Sequence, residues 1–440
     1  MKPARDLSRR RFLSRAALAA GLTPFMPDII PSQVLAAPGQ PGANDRIGVG
    51  TIEMGRQAGG LLQMMVRMPD VRYVAVADVN LPRAEASAAA HGAKAYEDYR
   101  KLLENRDVDA IITATPEHWR ILICLHACQA GKDLFVEKPM SLTIREGRLI
   151  VNAVQKYQRV FQTGSQQRSM WPNYAACNFL RNGGLGRIRR VIAHNYPSPW
   201  HHDLPAEPVP EGLNWDLWCG PAKLVPFNRE LYVPRGNPGW LSFRPYSGGE
   251  MTGWGAHGFD QVQWALGQDA GGPVEVWTEG EPFDPPTYTQ AESKARGDAI
   301  CSRPKVFFRY PGDFIMELGE GGPGGAIFIG DKGRVTLDRA FFRSDPAELA
   351  EEAMQQPRPP GFEPNHLRNW FDCIKTRRQP IADAEIGHRS ATVCHLGNIA
   401  RESGRRLHWD PVKEEFTNDR EANQLLDRER RKGYEVPQRI

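Results

Sequence analysis

The sequence has 440 residues, 41% hydrophobic and 25% charged, which is a soluble globular composition long enough for two domains. The formal charge of +4 is localised: residues 1–36 hold six Lys/Arg against two Asp and the remainder balances, so no nucleic-acid partner is expected. No uninterrupted apolar run reaches the length of a membrane span, and seven cysteines without metal-ligand spacing argue against a disulfide framework or a metal site. Cys124 and Cys128, four apart in a predicted helix, read as small buried apolar residues.

The chain starts with a targeting pattern. Arg9 and Arg10 stand in "SRRRFL", a weakly apolar stretch follows, and Val34 and Ala36 are small residues suited to cleavage after Ala36. The segment resembles a twin-arginine export signal, which implies recognition by the twin-arginine translocon, a periplasmic destination and passage in the folded state with any cofactor already loaded. Residues 37–44, "APGQPGAN", read as a linker.

From Arg46 the pattern alternates. "RIGVGTI" is a predicted strand, "GGLLQMMVRM" a helix, "VRYVAVADV" a strand and "PRAEASAAAHG" a helix. "YEDYRKLLEN" is a third helix, then come "VDAIITATP", "HWRILICLHACQAG", "DLFVEKP", "TIREGRLIVNAVQKYQ" and "RVFQTGSQ" as strand, helix, strand, helix and strand. Regular β-α alternation demands parallel strands with helical crossovers, so residues 45–165 are expected to form an α/β Rossmann domain with a doubly wound parallel sheet. Residues 166–440 change character: a helix at "PNYAACNFLRNGGLG", a strand at "RIRRVIAHNYPSP", a Pro-, Gly- and Trp-dense stretch at 197–250, and a helix at "GFDQVQWALG". The short runs "PVEVWTEG", "KVFFRY", "DFIMELGE", "GGAIFIGD" and "GRVTLDR" follow, then two late helices, "NHLRNWFDCIKTR" and "EIGHRSATVCHLGNIARESG". They predict a second α/β domain with an open, largely antiparallel sheet.

The first strand enters a helix through "IEMGRQA". In a G-x-G-x-x-G/A turn, Gly55 is the middle glycine, Ala58 the last small residue, and Glu53 stands where the first glycine belongs. Asp78 closes the second strand twenty-five residues after Glu53, placed to accept hydrogen bonds from an adenosine ribose and to disfavour a 2′-phosphate. NAD is therefore expected over NADP, with Arg83 close enough to blur the preference. Two fates are open for Glu53. Its carboxylate either occupies part of the phosphate site, or turns aside toward solvent or Arg56 and leaves the helix start to the dinucleotide, the reading favoured here.

"TATPEHW", "VEKPMSL" and "GWGAHGFDQVQWALG" together resemble the Gfo/Idh/MocA oxidoreductases, the glucose–fructose oxidoreductase and inositol dehydrogenase relatives, from about Arg46 onward. The resemblance implies an NAD site built from Glu53, Met54, Gly55, Arg56, Ala58, Asp78, Thr115, Pro116, His118, Glu137 and Lys138. It puts Lys138 beside the nicotinamide and the reacting carbinol, where a partly desolvated lysine shares the hydroxyl proton. Relatives carry D-x-x-x-H ahead of a helix; here His257 is present, but Gly253 stands in place of the acid. His257 is the second catalytic candidate, with Asp260, Tyr196 or His202 as substitutes for the missing partner. Arg168, Tyr196, Trp200, His201, His202 and Asp260 are the substrate-wall candidates, while Trp215 and Trp218 read as packing residues.

The function expected is an exported oxidoreductase that retains its NAD and acts on a sugar, cyclitol or sugar derivative, assembled as a homo-oligomer. Two alternatives stand: an NAD-dependent glycoside hydrolase working through a transient 3-keto sugar, and a non-catalytic sugar-binding protein whose nucleotide site is spoiled by Glu53 and Gly253.

Overall fold

The computed structural model describes residues 42, 45–234, 238–285, 287–290, 302–312 and 314–440. The predicted leader, most of the predicted linker and Cys301 lie outside the described residues. Residues Ile47–Ile440 form one body.

The first sheet is built from β1 (Ile47–Ile52), β2 (Val71–Ala77), β3 (Lys94–Tyr96), β4 (Ala110–Thr113), β5 (Asp133–Val136) and β6 (Phe161–Thr163). All neighbours are parallel and the order is β3-β2-β1-β4-β5-β6, a doubly wound Rossmann sheet. β1, β4, β5 and β6 are buried at every position, as strands covered by helices on both faces must be. Local chemistry sets the crossovers. Asn80 caps helix Leu81–His91 through Arg83 N, with proline in its first turn. Thr143 caps helix Ile144–Lys156 through Glu146 N, and the Glu146 carboxylate accepts from Leu142 N, one residue before the cap, at 3.2 Å. The sequence reading missed β3, a three-residue edge strand without alternation, and placed the next helix too early: it starts at Tyr99, where Asp98 caps Arg100 N.

Residues 197–250 form no large sheet. Among the described residues β8 (His201–His202) pairs with β10 (Thr287–Tyr288) alone, and the segment carries its own aromatic core of Trp200, Trp215, Trp218, Trp240, Phe243 and Tyr246. It is sewn to the Rossmann sheet: Asn214 N donates to Val79 O at 2.8 Å, Leu81 N to Gly212 O at 3.1 Å, and Asn80 Nδ2 to Tyr232 Oη at 3.3 Å. The stretch therefore roofs the ends of β2 and β4.

The second sheet comprises β7 (Ile188–His194), β9 (Glu275–Glu279), β11 (Lys305–Tyr310), β12 (Phe314–Gly319), β13 (Ala326–Gly330), β14 (Gly333–Asp338), β15 (Phe341–Asp345), β16 (Leu407–Asp410) and β17 (Glu415–Phe416). Its order is β15-β14-β13-β7-β12-β11-β9-β16-β17. β7 and β12 are parallel and every other pairing is antiparallel, so the sheet is mixed but largely antiparallel. β15, β16, β17 and helix Glu348–Gln355 were not read from the sequence; the last two strands are short, and β15 alternates with its larger side chains outward. Helix Ala384–Ser403 is buried along almost its whole length. It packs on helices Ile144–Lys156 and Gly255–Ala265 and on β6, which ties the two sheets together. No helix among the described residues is long and apolar enough to cross a membrane.

Candidate active site

A cleft of about 490 Å³ opens at the carboxyl ends of β1, β2, β4 and β5, the switch point where an open α/β sheet binds ligands. One end is lined by Asp78, Arg83, Tyr99, Trp119 and Tyr232, the floor by Glu53, Gly55, Arg56 and Gln57, and the other end by Glu137, Lys138, Trp254, His257 and Arg339.

The floor is the turn with the aberrant acid. Glu53 has φ of 73°, the left-handed conformation that glycine adopts freely and that costs another residue about 1–2 kcal/mol. The helix Arg56–Met65 starts immediately after Gly55, and Ala58 is fully buried where the helix meets the sheet. The structure thus assigns Glu53, Gly55 and Ala58 to the three small positions of the nucleotide turn. The side chain of Glu53 does not turn aside to solvent, and among the described residues it makes no ion pair with Arg56. The left-handed backbone folds it over the turn, its carboxyl hydrogen-bonds the Gly55 backbone, and a Cβ built on Gly55 would collide with Oε1. It has found an orphan donor of the helix start, the place where a pyrophosphate would lie. Burial, then the charge of Asp78, raises its pKa to about 8, with Arg83 and the Gly55 hydrogen bond opposing.

Asp78 is saturated. Oδ1 accepts from Asn80 N at 2.8 Å and Arg83 Nη2 at 2.9 Å; Oδ2 accepts from Met54 N and Arg83 Nε, both at 2.8 Å. Arg83 also lies over the Tyr232 ring at 5.6 Å. A ribose diol reaches Asp78 only if Arg83 yields. Met54 contributes its backbone to this contact, while its side chain packs into the core beneath the sheet.

At the inner end, Arg120 holds the loop after β5: its Nη1 donates to Glu137 O at 2.8 Å and to Pro139 O, and Nε and Nη2 donate to Thr115 O at 3.0 and 2.8 Å. Glu137 Oε1 accepts from Gln57 Nε2 at 2.9 Å. Lys138 Nζ donates to Gly253 O at 3.0 Å. His257, one turn beyond Gly253, accepts at Nε2 from Arg339 Nη2 at 2.9 Å; arginine can only donate, so Nε2 carries no proton there. Arg339 rests on the Trp254 face at 4.9 Å.

Among the residues expected at the site, Glu53, Gly55, Arg56, Asp78, Thr115, Pro116, Glu137, Lys138 and His257 share this cleft. Others do not line it. His118 is buried; its Nε2 meets Trp218 O at 3.0 Å, and burial lowers its pKa to about 3. Arg168 and Asp260 are 2% and 1% exposed and pair with each other at 2.9 Å, with Asp269 and Ser390 completing the set. Asp260 does not orient His257: although i,i+3 spacing puts them on one face, the Asp260 carboxylate is taken by Arg168 and Ser390, while His257 Nε2 meets Arg339. Tyr196 is buried with its hydroxyl on Pro323 O at 2.9 Å, and Trp200 is stacked on Tyr288 at 4.9 Å. His202 packs on Phe243 and Tyr246 in the roof, and His201 is exposed on the same short strand. Trp215 and Trp218 stack at 4.5 Å, and Trp218 also reaches the cleft.

Gln57, Trp119, Arg120, Gln166, Tyr232, Trp240, Trp254 and Arg339 line the cleft without having been singled out. Trp254 had a signal, three residues before His257. Arg339 had none, since it arrives from the turn after β14.

The residues fit a dinucleotide. A helix N-terminus faces the middle of the cleft, a strand-end acid with an arginine lies at one end, and a lysine from β5 lies at the other. Residues 47–165 match the family model "Oxidoreductase family, NAD-binding Rossmann fold", and residues 187–436 match "Oxidoreductase family, C-terminal alpha/beta domain". The chain belongs to the Gfo/Idh/MocA family. Curated relatives include a glycosyl hydrolase family 109 protein of Shewanella pealeana, 27% identical over 202 residues (41% of this chain, 44% of the relative). Another is the scyllo-inositol 2-dehydrogenase (NAD(+)) of Bacillus subtilis, 25% identical over 268 residues (61% of this chain, 68% of the relative). The chain spans less than half the length of the first curated relatives it matches, 44% and 47%. Among solved structures, the aldose-aldose oxidoreductase from Caulobacter crescentus superposes with a TM-score of 0.59 at 17% identity, covering 82% of this chain and 99% of that one. A levoglucosan dehydrogenase in complex with NADH and levoglucosan gives 0.58 at 15%, covering 82% and 99%. At these identities the likeness is one of fold.

Proposed function

We propose that this Gfo/Idh/MocA chain is an exported NAD(P)-dependent oxidoreductase that acts on a carbinol of a sugar, cyclitol or sugar derivative. The observation that carries the proposal is the meeting of Lys138, Glu137 and His257 at the inner end of a cleft whose floor is a helix N-terminus. A bound nicotinamide supplies the hydride acceptor. The protein's part is to hold the carbinol and manage its proton. Lys138, anchored to Gly253 O, offers an amine at a fixed position for the hydroxyl proton. Glu137 is held by Gln57 and helps position the lysine loop, which Arg120 clamps through backbone carbonyls. His257 offers a second proton site once Arg339 releases Nε2.

Export rests on the twin-arginine pattern of residues 1–36. Retention of the cofactor belongs to the same proposal, supported by the aromatic roof laid across the adenosine end. So does a homo-oligomer, supported by apolar side chains such as Ile315 and Phe341 left on the second sheet, 37% and 46% exposed. Protein purified from the cytoplasm should release NAD or NADP on denaturation, detected by mass spectrometry. It should also reduce the bound nucleotide when supplied with a substrate from a panel of sugars, cyclitols and glycosides, read at the NADH absorbance. Protein that neither carries nor takes up a dinucleotide at millimolar supply would falsify the proposal.

A second reading is favoured by the family 109 relative: glycoside cleavage through transient oxidation, with net release of an aglycone and no net change in bound nucleotide. Aglycone release from a chromogenic glycoside separates the two.

A further inference from the structure

Arg339 enters the inner cleft from the turn between β14 and β15, beside Trp254 and His257 and in the same cavity as Lys138. Its contacts are neutral: Gln167 Oε1 at 3.3 Å from Nε, His257 Nε2 at 2.9 Å from Nη2, and the indole face of Trp254 at 4.9 Å. Among the described residues no carboxylate lies within ion-pair distance of its guanidinium. The adjacent acid, Asp338, turns its Oδ1 to Gly324 N at 2.8 Å and to the backbone N of Arg339 at 2.7 Å. The acid across the cleft, Glu137, is taken at Oε1 by Gln57 and at Oε2 by Lys138 N, 3.2 Å away. Of the other cleft arginines, Arg83 is committed to Asp78 and Arg120 to the carbonyls of Thr115, Glu137 and Pro139, while Arg56 is exposed at the first position of helix Arg56–Met65.

Lys138 and Arg339 bring two cations to the reacting end, where Glu137 and Asp338 both act on Arg339 by charge while their oxygens accept hydrogen bonds from other groups, so the guanidinium edge suits an incoming anion. A guanidinium has five donors in a planar fork, and two are spent here on neutral acceptors. The plane is steadied against Trp254, the presentation that suits two parallel hydrogen bonds to a carboxylate.

We propose that the substrate bears a carboxylate, as a uronate or aldonate does, and that Arg339 is the residue that receives it. This deepens the oxidoreductase reading and rests on it. The carboxylate stays unreacted and serves as a handle; the reacting carbinol lies elsewhere on the sugar, toward Lys138. The donors not spent on Gln167 and His257 receive the handle, which makes Arg339 the specificity determinant of this end of the cleft.

The test is calorimetric titration of the full-length protein, its dinucleotide content measured first, with D-glucuronate, D-galacturonate and D-gluconate and with D-glucose, D-galactose and myo-inositol. At least one acid should bind at least tenfold more tightly than its neutral counterpart. Arg339→Gln should weaken that acid roughly 10- to 100-fold while leaving neutral ligands and nucleotide content unchanged, and Arg339→Lys should restore part of the loss. Equal or tighter binding of the neutral series, no binding of any acid, or an Arg339→Gln variant that loses both series equally would each overturn the inference. Protein that holds acids through Arg339 yet contains no dinucleotide would support this assignment and overturn the oxidoreductase reading instead.

Discussion

Nζ of Lys138 donates a 3.0 Å hydrogen bond to the carbonyl oxygen of Gly253. The D-x-x-x-H pattern would put an acid at position 253; this chain has glycine there, and its backbone carbonyl holds the lysine instead. A carbonyl accepts a hydrogen bond but takes no proton, so the carbinol proton falls to Lys138 in its neutral amine form, with His257 as the second site. Lys138→Ala should lower kcat by about 100- to 10,000-fold with the nucleotide still bound. Single-turnover reduction of the bound nucleotide measures it, and a wild-type rate removes Lys138 from the mechanism.

Glu53 should couple dinucleotide affinity to pH. Its folded-state pKa is raised to about 8, so the folded protein holds a proton there between the ordinary carboxylate range and that value. Folding therefore binds more protons than unfolding across this window, and the group's contribution to stability falls as pH rises toward 8. A pyrophosphate arriving beside Glu53 tolerates the neutral acid and repels the carboxylate. Affinity for NAD should be flat below pH 8 and decline by up to about tenfold per unit above it. Fluorescence titrations from pH 6 to 10 should show the break in the wild type and none in Glu53→Gln.

Glu53→Gly should act on the backbone as well. It removes the left-handed strain at φ of 73° and clears the helix start. Thermal unfolding should shift upward by the equivalent of about 1 kcal/mol and NAD should bind at least as tightly. A large loss of affinity would mean that the glutamate helps hold the nucleotide.

Arg83 stands where the choice between the two dinucleotides can be tested. With both carboxylate oxygens of Asp78 occupied, the site as it stands offers a guanidinium rather than an acid to the 2′ position. Arg83→Ala should free Asp78 for a ribose diol and weaken NADP roughly 10- to 100-fold while sparing NAD. Equal losses for both nucleotides would place Arg83 elsewhere in the binding energetics.

Arg168 and Asp260 separate architecture from chemistry. The pair is buried, and breaking it strands a charge in the core. Arg168→Leu should destabilise the fold by about 3–5 kcal/mol in denaturant unfolding, without a selective effect on KM in the protein that remains folded. A selective rise in KM at unchanged stability would return Arg168 to the substrate wall.

The first sheet was legible because apolar strand runs alternate with helical periods and carry local markers: the apolar run of β1, the turn at Gly55, the acid ending the second strand. β3 was not, because three residues cannot display alternation. Lys138 and His257 could be named because each sits in a short local motif at an element boundary. The substrate wall failed for a different reason. Aromatic and charged side chains in the 197–250 loops look alike whether they face a ligand or one another, and Trp200, Tyr196 and His202 found partners inside the protein. Arg339 reaches the cleft only through the pairing of β14 with β13 and β15, a long-range register that no local pattern announces.

The far end of the chain fastens the roof. Arg428 donates to Glu146 and to the carbonyl of His118, each at 2.8 Å, Arg431 pairs with Asp216 at 2.8 Å and its N–H with Pro221 O, and Tyr434 sets its ring edge on Trp119. Gly220 has φ of 47° and lies so close to the Trp119 ring that a Cβ there would collide. A ligand lodged beneath this cover should therefore resist any local opening of residues 425–436. Occupancy of the chamber and amide-exchange protection of that distal ribbon should rise and fall together, so a ligand never touching Tyr434 would still be felt there.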